Sequence, residues 1–240
     1  MKKLILSTAT LALMAGMGIA DTVRLGTEGA YPPYNFIDDN GEIAGFEREV
    51  GDELCKRAEL ECEWVINEWD SIIPNLVSGN YDAIIAGMSI TDERDEVIDF
   101  TQNYTPPSAS AYMAMSADID LSSAVISAQS ATIQAGYVAE TGATLVEFAT
   151  PDETVAAVKN GEVDAVLADE DYVRPIAAES GGELLIVGDL VPLGGGIGMG
   201  LRESDGELRA QFDAAIQTMK DDGTLNALIV QYFGDEAQTF

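Results

Sequence analysis

Short runs of β-branched and other apolar residues alternate with longer segments of helical periodicity along most of this chain. The alternation is typical of an α/β protein with largely parallel sheets, because two parallel strands need a crossover helix between them. The pattern predicts strands at Thr22–Gly26, Glu63–Ile66, Asp82–Ile85, Val125–Ala128, Thr144–Phe148, Asp164–Leu167, Leu184–Val187 and Ile197–Leu201. It predicts helices at Phe46–Ala58, Asp92–Val97, Gln134–Glu140, Pro151–Asn160, Glu170–Glu179, Ser204–Asp221 and Thr224–Phe233.

The first twenty residues follow a different pattern. Lys2 and Lys3 precede an apolar core from Leu4 to Met17, and Gly18-Ile19-Ala20 supplies the small residues of a cleavage site. The apolar run is too short for a transmembrane anchor and lacks a stop-transfer flank. We therefore predict a signal peptide at residues 1–20, cleaved after Ala20, and a soluble product in the periplasm.

Removing residues 1–20 would leave 220 residues with 10 basic and 42 acidic side chains, a net charge of −32. So acidic a chain is not expected to bind nucleic acid or an anionic membrane surface. The acidity could steer cationic ligands inward. We favour the simpler interpretation, a solvated and salt-adapted surface.

The chain has no His and only two Cys. Without His it has no His-based triad, no His metal site and no His general base. Cys55 and Cys62 are seven residues apart, and in an oxidising compartment they should form a disulfide. Zinc or redox chemistry would need further ligands or a C-x-x-C spacing. We therefore expect no metal and no cofactor.

The segment Asp82-Ala-Ile-Ile-Ala-Gly-Met-Ser-Ile-Thr-Asp-Glu-Arg94 indicates a buried strand, a glycine-containing loop and a helix start. Thr91 or Asp92 could cap the helix, and Arg94 lies in its first turn. Free N–H groups and the helix dipole attract an anion there, and a guanidinium can hold a carboxylate with two parallel hydrogen bonds. A surface Arg paired with Asp92 or Glu93 is the alternative. The strand-to-helix context favours a carboxylate receptor.

This segment and several others resemble the polar amino-acid family of bacterial periplasmic solute-binding proteins, the soluble receptors of ABC importers. The family includes lysine/arginine/ornithine-, histidine- and arginine-binding proteins. The order and spacing of the matching segments over more than 200 residues carry the resemblance. Besides the segment above they are Gly26-Thr-Glu-Gly-Ala-Tyr-Pro-Pro-Tyr-Asn-Phe36, Gly45-Phe46, Trp69-Asp-Ser-Ile-Ile-Pro74, Asp164-Ala-Val-Leu-Ala-Asp169, Asp222-Gly-Thr-Leu225 and Tyr232-Phe233-Gly234.

The resemblance implies an α/β protein of the type II periplasmic binding protein fold, with two α/β sandwich lobes joined by a two-stranded hinge. The crossings would lie near Tyr104–Ser110 and near Val191–Gly196, where three consecutive glycines would permit large backbone changes. Lobes on such a hinge can close around a ligand. The implied boundaries are residues 21–106 plus 195–240 for lobe 1 and residues 107–194 for lobe 2.

The resemblance also implies an amino-acid ligand held at both charged ends. Arg94 would bind the carboxylate, and Asp169, at the end of an apolar strand, would accept hydrogen bonds from the α-ammonium. Thr132 would reach the carboxylate from the second lobe. Thr132 and Asp169 could instead serve as helix N-caps. Ser89 and the N–H groups of the Gly87–Ser89 loop, which includes Met88, would also bind the carboxylate. Gln134, on the helix that follows Thr132, would be a further contact.

The ligand side chain would meet Glu28, Tyr31 and Trp69. Two aromatic rings facing a cation would each contribute about 1–2 kcal/mol when desolvated. Tyr34 and Phe36 are better explained as lobe packing. A carboxylate at Glu28 favours Arg, Lys, ornithine or a basic conjugate, although relatives that bind glutamine also carry an acid nearby.

We therefore expect a non-catalytic, monomeric receptor that delivers a polar, basic amino acid to a membrane permease. A periplasmic lyase of the cyclohexadienyl dehydratase type, which shares this fold, is the alternative. It would need a positioned acid for proton transfer, a role that Glu28 could fill. A detached sensory domain is the least favoured interpretation.

Overall fold

The structure is a computed structural model that describes residues 22–240, so the predicted signal peptide lies outside the described residues. The strands are β1 Val23–Thr27, β2 Ala30–Tyr31, β3 Asn35–Ile37, β4 Ile43–Ala44, β5 Cys62–Ile66, β6 Ala83–Ile84, β7 Asp99–Phe100, β8 Ala109–Ala114, β9 Val125–Gln129, β10 Thr144–Phe148, β11 Ala165–Asp169, β12 Leu185–Pro192 and β13 Gly200–Leu201. The helices are α1 Phe46–Arg57, α2 Ile72–Val77, α3 Asp92–Asp95, α4 Ile133–Ala139, α5 Pro151–Lys159, α6 Glu170–Glu179, α7 Gly206–Asp221 and α8 Thr224–Phe233. Across residues 22–240, no helix has the length and apolar character needed to cross a membrane.

Two five-stranded sheets share one topology. The first has the spatial order β5-β1-β6-β13-β7 and the second the order β10-β9-β11-β8-β12. In each sheet the first three strands are parallel, and the fourth runs antiparallel to both of its neighbours. The fourth strand of the first sheet, β13, follows the entire second sheet in sequence. Each sheet therefore forms its own α/β lobe, and the first lobe is built from two separate stretches of chain.

Apolar side chains alternate between the two faces of each sheet. In the first sheet Ala83 and Ile85 pack with α1, α7 and α8, whereas Ile84 packs with α2 on the opposite face. In the second sheet Val166 packs with α5 and α6, and Leu167 packs with α4. Because helices cover both faces, these central strands are continuous apolar runs. The strand ends therefore carry the first polar side chains.

Helix α1 begins at a glycine that the local backbone requires. Gly45 has a φ of 111°, and a Cβ atom there would lie 2.5 Å from the carbonyl oxygen of Tyr34. The N–H groups of Phe46 and Glu47 donate to the carbonyl oxygens of Pro33 and Tyr34, at 2.9 and 2.8 Å. These bonds fix the start of α1 to the loop between β2 and β3.

The predicted disulfide between Cys55 of α1 and Cys62 of β5 is confirmed. It joins the last turn of the helix to the edge strand of the first sheet. Within the described part of the chain, no three acidic or cysteine side chains are grouped so that they could hold a metal ion.

The chain passes between the two sheets twice, and the passages lie side by side. Thr105 and Ile197 form an isolated antiparallel bridge, and Ser110 pairs with Val191 where β8 meets β12. Gly196 has a φ of 95°, and a Cβ atom there would lie 2.6 Å from the carbonyl oxygen of Thr105. Close approach of the two passages therefore requires a glycine at this position.

Several elements differ from the sequence-based predictions. The three-stranded sheet β2-β3-β4, the 3₁₀ turn Trp69–Ser71 with α2, and strands β7 and β8 were not predicted. Helix α3 ends at Asp95, before the predicted Val97, because Ile98 turns into the core of the first lobe. The predicted strand Ile197–Leu201 is reduced to β13, since Ile197 forms only isolated bridges with Ser89 and Thr105.

Candidate functional site

A cavity that is partly open to solvent lies between the two lobes. Strand β11 ends in it at Asp169 and strand β9 at Gln129, consistent with ligand binding at the carboxyl ends of open α/β sheets. Nine of the ten residues predicted to bind a ligand line this cavity, the exception being Met88. The lining residues that were not predicted are Ala86, Gln129, Ile133, Pro151, Thr154, Leu167 and Ala168.

Arg94 crosses the gap between the lobes. Thr91 caps α3 by accepting a hydrogen bond from the Arg94 N–H at 3.2 Å. This bond fixes the backbone from which the Arg94 side chain extends. Nη1 donates to the Ser89 carbonyl oxygen at 2.8 Å, and Nη2 donates to the Ala131 carbonyl oxygen in the other lobe at 3.2 Å. Burial lowers the pKa of Arg94 to about 10. Among residues 22–240 the guanidinium donates hydrogen bonds only to carbonyl oxygens, so it does not form the surface ion pair of the alternative interpretation.

Asp169 ends β11 and faces the same cavity. The Tyr31 hydroxyl donates to its Oδ2 at 2.9 Å, and the Gln134 amide donates to its Oδ1 at 2.9 Å. Asp169 occupies the N-cap position of α6 without making a side-chain cap hydrogen bond. Burial raises its pKa to about 6, against the opposing effect of the Tyr31 hydrogen bond. The carboxylate is thus free of the capping role and is held by two donors.

Thr132 does act as an N-cap. Its Oγ1 accepts from the Ala135 N–H at 3.2 Å and donates to the Gln129 carbonyl oxygen at 2.6 Å. It also lines the cavity, as does Gln134 two residues later. The start of α4 therefore contributes both a capping hydroxyl and an amide to the site.

Glu28 meets a partner that the sequence interpretation missed. The Gln129 amide donates to Glu28 Oε1 at 2.6 Å across the lobes, and also to the Ala149 carbonyl oxygen at 3.1 Å. Burial raises the pKa of Glu28 to about 7, and the neighbouring acids Asp70 and Asp152 act in the same direction. A polar residue at the end of an apolar strand was the signal for Gln129, the same signal that identified Asp169.

Each of the two aromatic side chains of the cavity, Tyr31 and Trp69, contacts another side chain of the protein. Tyr31 stacks on Tyr172 of the other lobe, with ring centroids 4.5 Å apart, and Trp69 lies under the Arg94 guanidinium at 5.4 Å. Tyr34 packs against Phe233 in the core of the first lobe, as predicted, although its hydroxyl donates to Asp171 across the lobes at 2.9 Å.

The loop from Gly87 to Ser89 contributes less than expected. The Gly87 N–H was predicted to face a ligand carboxylate, but it donates to Glu47 at 2.6 Å. Met88 is fully buried in the core, because the strand alternation continues through it. Ser89 remains at the cavity and accepts from Arg94 through its carbonyl oxygen.

The family model of bacterial extracellular solute-binding proteins, family 3, matches residues 23–235. The chain therefore belongs to this family.

Individual relatives agree over nearly the full length. A lysine/arginine/ornithine-binding periplasmic protein of Escherichia coli K12 is 31% identical, over 97% of each chain. A periplasmic His/Glu/Gln/Arg/opine family-binding protein of Silicibacter pomeroyi, solved in complex with lysine, is 75% identical, with a TM-score of 0.90 over 91% of this chain and 100% of that one. An ancestral amino acid-binding protein, described as a precursor of cyclohexadienyl dehydratase, is 27% identical, with a TM-score of 0.79 over 88% of this chain and 95% of that one. These likenesses confirm the predicted two-lobed periplasmic binding protein fold.

Proposed function

We propose that this protein is a periplasmic receptor that binds a basic amino acid, of the lysine, arginine or ornithine type, between its lobes. The observation that carries the proposal is the charge balance of the cavity. One guanidinium, Arg94, and two partly buried carboxylates, Asp169 and Glu28, line it. A basic amino acid carries the complementary set of one carboxylate and two cations, whereas a neutral amino acid leaves one acid unpaired in a poorly hydrated cleft.

Each charged group has a proposed role. Arg94 holds the ligand carboxylate, with Ser89 and Thr132 beside it, and Asp169 with Gln134 receives the α-ammonium. Glu28 with Gln129 receives the distal cation, and Tyr31 and Trp69 flank the aliphatic part of the ligand. The support for these roles is that the same groups converge on one cavity from both lobes.

Lobe closure is part of the proposal. Residues 21–106 plus 195–240 would move as one body and residues 107–194 as the other, because each range contains one complete five-stranded sheet. Hydrogen bonds between the lobes, such as Ser130 to Asp70 at 2.5 Å, would break on opening. The two adjacent passages near Thr105 and Gly196 would act as the hinge.

The remaining expectations belong to the same proposal. The mature protein starts after Ala20, acts as a monomer without catalytic activity and delivers its ligand to the permease of an ABC importer. Named relatives support the location and the basic ligand, since they are lysine/arginine/ornithine-binding and lysine-bound proteins.

A thermal-shift screen tests the ligand class. Lysine, arginine and ornithine should each raise the melting temperature, since a ligand at a hundred times its Kd adds about 2.7 kcal/mol to stability. Citrulline, glutamine and glutamate are the matched comparisons. Tight binding of a neutral or acidic amino acid, with no shift from the three basic ones, would refute the proposal.

The lyase alternative has its own test. A relative described as a precursor of cyclohexadienyl dehydratase shares the fold, which makes prephenate and arogenate the compounds to try. We expect no turnover of either compound. Release of product by the wild-type protein, lost in Glu28→Gln, would favour the enzyme.

A further inference from the structure

Glu47 is a fully buried carboxylate that does not itself line the cavity. It lies in the first turn of α1 and is 0% exposed. No salt bridge joins it to a cation within residues 22–240. A buried charge without a cation is costly unless hydrogen-bond donors surround it, so its retention needs an explanation.

Three donors from three separate segments converge on Glu47. Oε1 accepts from the Gly87 N–H at 2.6 Å and from the hydroxyl of Tyr104, and Oε2 accepts from the Asn35 amide at 2.7 Å. The other atom of the Asn35 amide, Oδ1, accepts from the Gly29 N–H at 2.7 Å. Asn35 and Tyr104 are themselves fully buried.

These donors belong to the segments that build the proposed site. Gly29 follows Glu28, Gly87 precedes Ser89 by two residues, and Tyr104 precedes the first passage between the lobes. We infer that Glu47 is a positioning residue. It holds three segments in fixed relative positions: Glu28–Gly29 (the Gly29 loop), Gly87–Ser89 (the Gly87 loop) and the start of the hinge. This inference rests on the proposed function of the cavity.

The hydrogen-bond polarity makes the inference specific. The N–H groups of Gly29 and Gly87 can only donate. Every hydrogen bond of this network therefore runs from donor to acceptor in the direction of the Glu47 carboxylate. In Glu47→Gln the oxygen must stay on Gly87, and the new NH₂ then faces the NH₂ of Asn35. Rotating the Asn35 amide by a half turn removes this clash between donors. It then places the Asn35 NH₂ against the N–H of Gly29, which is also a donor. Relief requires displacement either of the Gly29 loop, which carries Glu28 with it, or of the Gly87 loop.

The same hydrogen-bond polarity identifies a second substitution that should restore ligand binding in Glu47→Gln. In Glu47→Gln with Asn35→Asp, one oxygen of the aspartate accepts from Gly29 and the other accepts from the new glutamine NH₂. Donor and acceptor are then matched throughout, and the cluster keeps a single negative charge. The single variant Asn35→Asp lacks this match, because it sets two carboxylates face to face.

Calorimetry at a temperature where every variant is folded provides the test. Glu47→Gln should weaken lysine and arginine binding by about tenfold to a hundredfold, and the double variant should recover to within about threefold of wild type. Glu42→Gln, an exposed carboxylate-to-amide change in the same lobe, is the control and should bind as wild type does. A folded Glu47→Gln protein with wild-type affinity, or a folded double variant no better than Glu47→Gln, would overturn the inference.

Hydrogen–deuterium exchange separates this inference from the proposed function. In Glu47→Gln, peptides that contain Gly29 and Gly87 should exchange faster, whereas peptides from α5 should not change. If wild type and Glu42→Gln bound no basic amino acid, the proposed function would fail, and exchange would still decide the role of Glu47. Unchanged exchange at both loops would overturn it.

Discussion

At the scale of single residues, the proposed function depends on three charged side chains from three distant parts of the chain. Arg94, Asp169 and Glu28 all lie in one cavity and all have pKa values shifted by burial. Burial raises the cost of leaving any of them unpaired, so we expect the cavity to discriminate between ligands by charge as well as by shape. Substitutions at these positions should therefore have distinct signatures.

Arg94→Lys should bind ligand nearly as poorly as Arg94→Ala. A point charge cannot reproduce the planar fork that now reaches carbonyl oxygens on both lobes. We expect each change to cost about 2–5 kcal/mol of binding free energy with the fold intact. Calorimetry with lysine measures the loss, and near-normal affinity in the lysine variant would contradict the assignment.

Glu28→Gln should weaken arginine binding by about 1.5–3 kcal/mol, the range for a hydrogen bond to a charged group. Citrulline has nearly the same shape without the charge, so its affinity should change less. The comparison of the two ligands in both proteins isolates the charge at this position. An equal loss for arginine and citrulline would mean that Glu28 does not face the distal group.

Affinity for basic ligands should rise between about pH 5 and 8, because Glu28 and Asp169 must ionise to receive cations. The folded-state pKa of Glu28 is about 7 against 4.5 for the unperturbed group. Folded protein thus holds more protons than unfolded protein between those values, and without ligand its free energy of unfolding should fall as pH rises through them.

Calorimetry in two buffers of different ionisation enthalpy should detect proton release on binding. In Glu28→Gln the rise near pH 7 should disappear, while the rise near pH 6 from Asp169 remains.

At the scale of elements, the site is assembled from strand ends and helix starts. Thr91 and Thr132 cap the helices that carry Arg94 and Gln134, so each cap orients a cavity residue within one turn. The sequence predicted these elements well, because caps and apolar strands are local patterns. It missed β8, whose run Ala-Ser-Ala-Tyr-Met-Ala begins within the segment interpreted as a hinge.

Replacing both cysteines with serine should lower the free energy of unfolding by about 2–3 kcal/mol, the value expected for so short a closed loop. Affinity should be unchanged, because Cys55 and Cys62 join α1 to β5 and do not line the cavity. Urea unfolding and calorimetry on the same variant measure the two quantities. Lost affinity in the folded variant would show that the bridge supports the site.

At the scale of the whole molecule, acidity is the dominant property, with a formal net charge of −30 for the full chain. Like charges repel in the compact state, and salt screens them, since the Debye length falls from about 10 Å at 0.1 M to about 3 Å at 1 M. We therefore expect the melting temperature to rise with sodium chloride over this range. A constant or falling melting temperature would contradict a salt-adapted surface.

The same titration distinguishes a solvated surface from electrostatic steering. Steering would appear as a lysine association rate that falls steeply with salt, measurable by stopped-flow fluorescence. We expect only a small change, because the charges proposed to hold the ligand are partly buried and therefore weakly screened.

The sequence by itself determined the local features of this protein. Apolar runs, caps and turn glycines specify strands and helix starts through interactions a few residues apart. The presence of two cysteines in a chain expected in an oxidising compartment predicted the disulfide. Only the tertiary structure decided which distant groups meet. Gln129 reaches Glu28 across 101 positions, Tyr31 reaches Asp169 across 138, and the Gly87 amide turns to Glu47 instead of the cavity. The physical reason is that these contacts depend on how two separately formed sheets pack, and no local pattern encodes that packing.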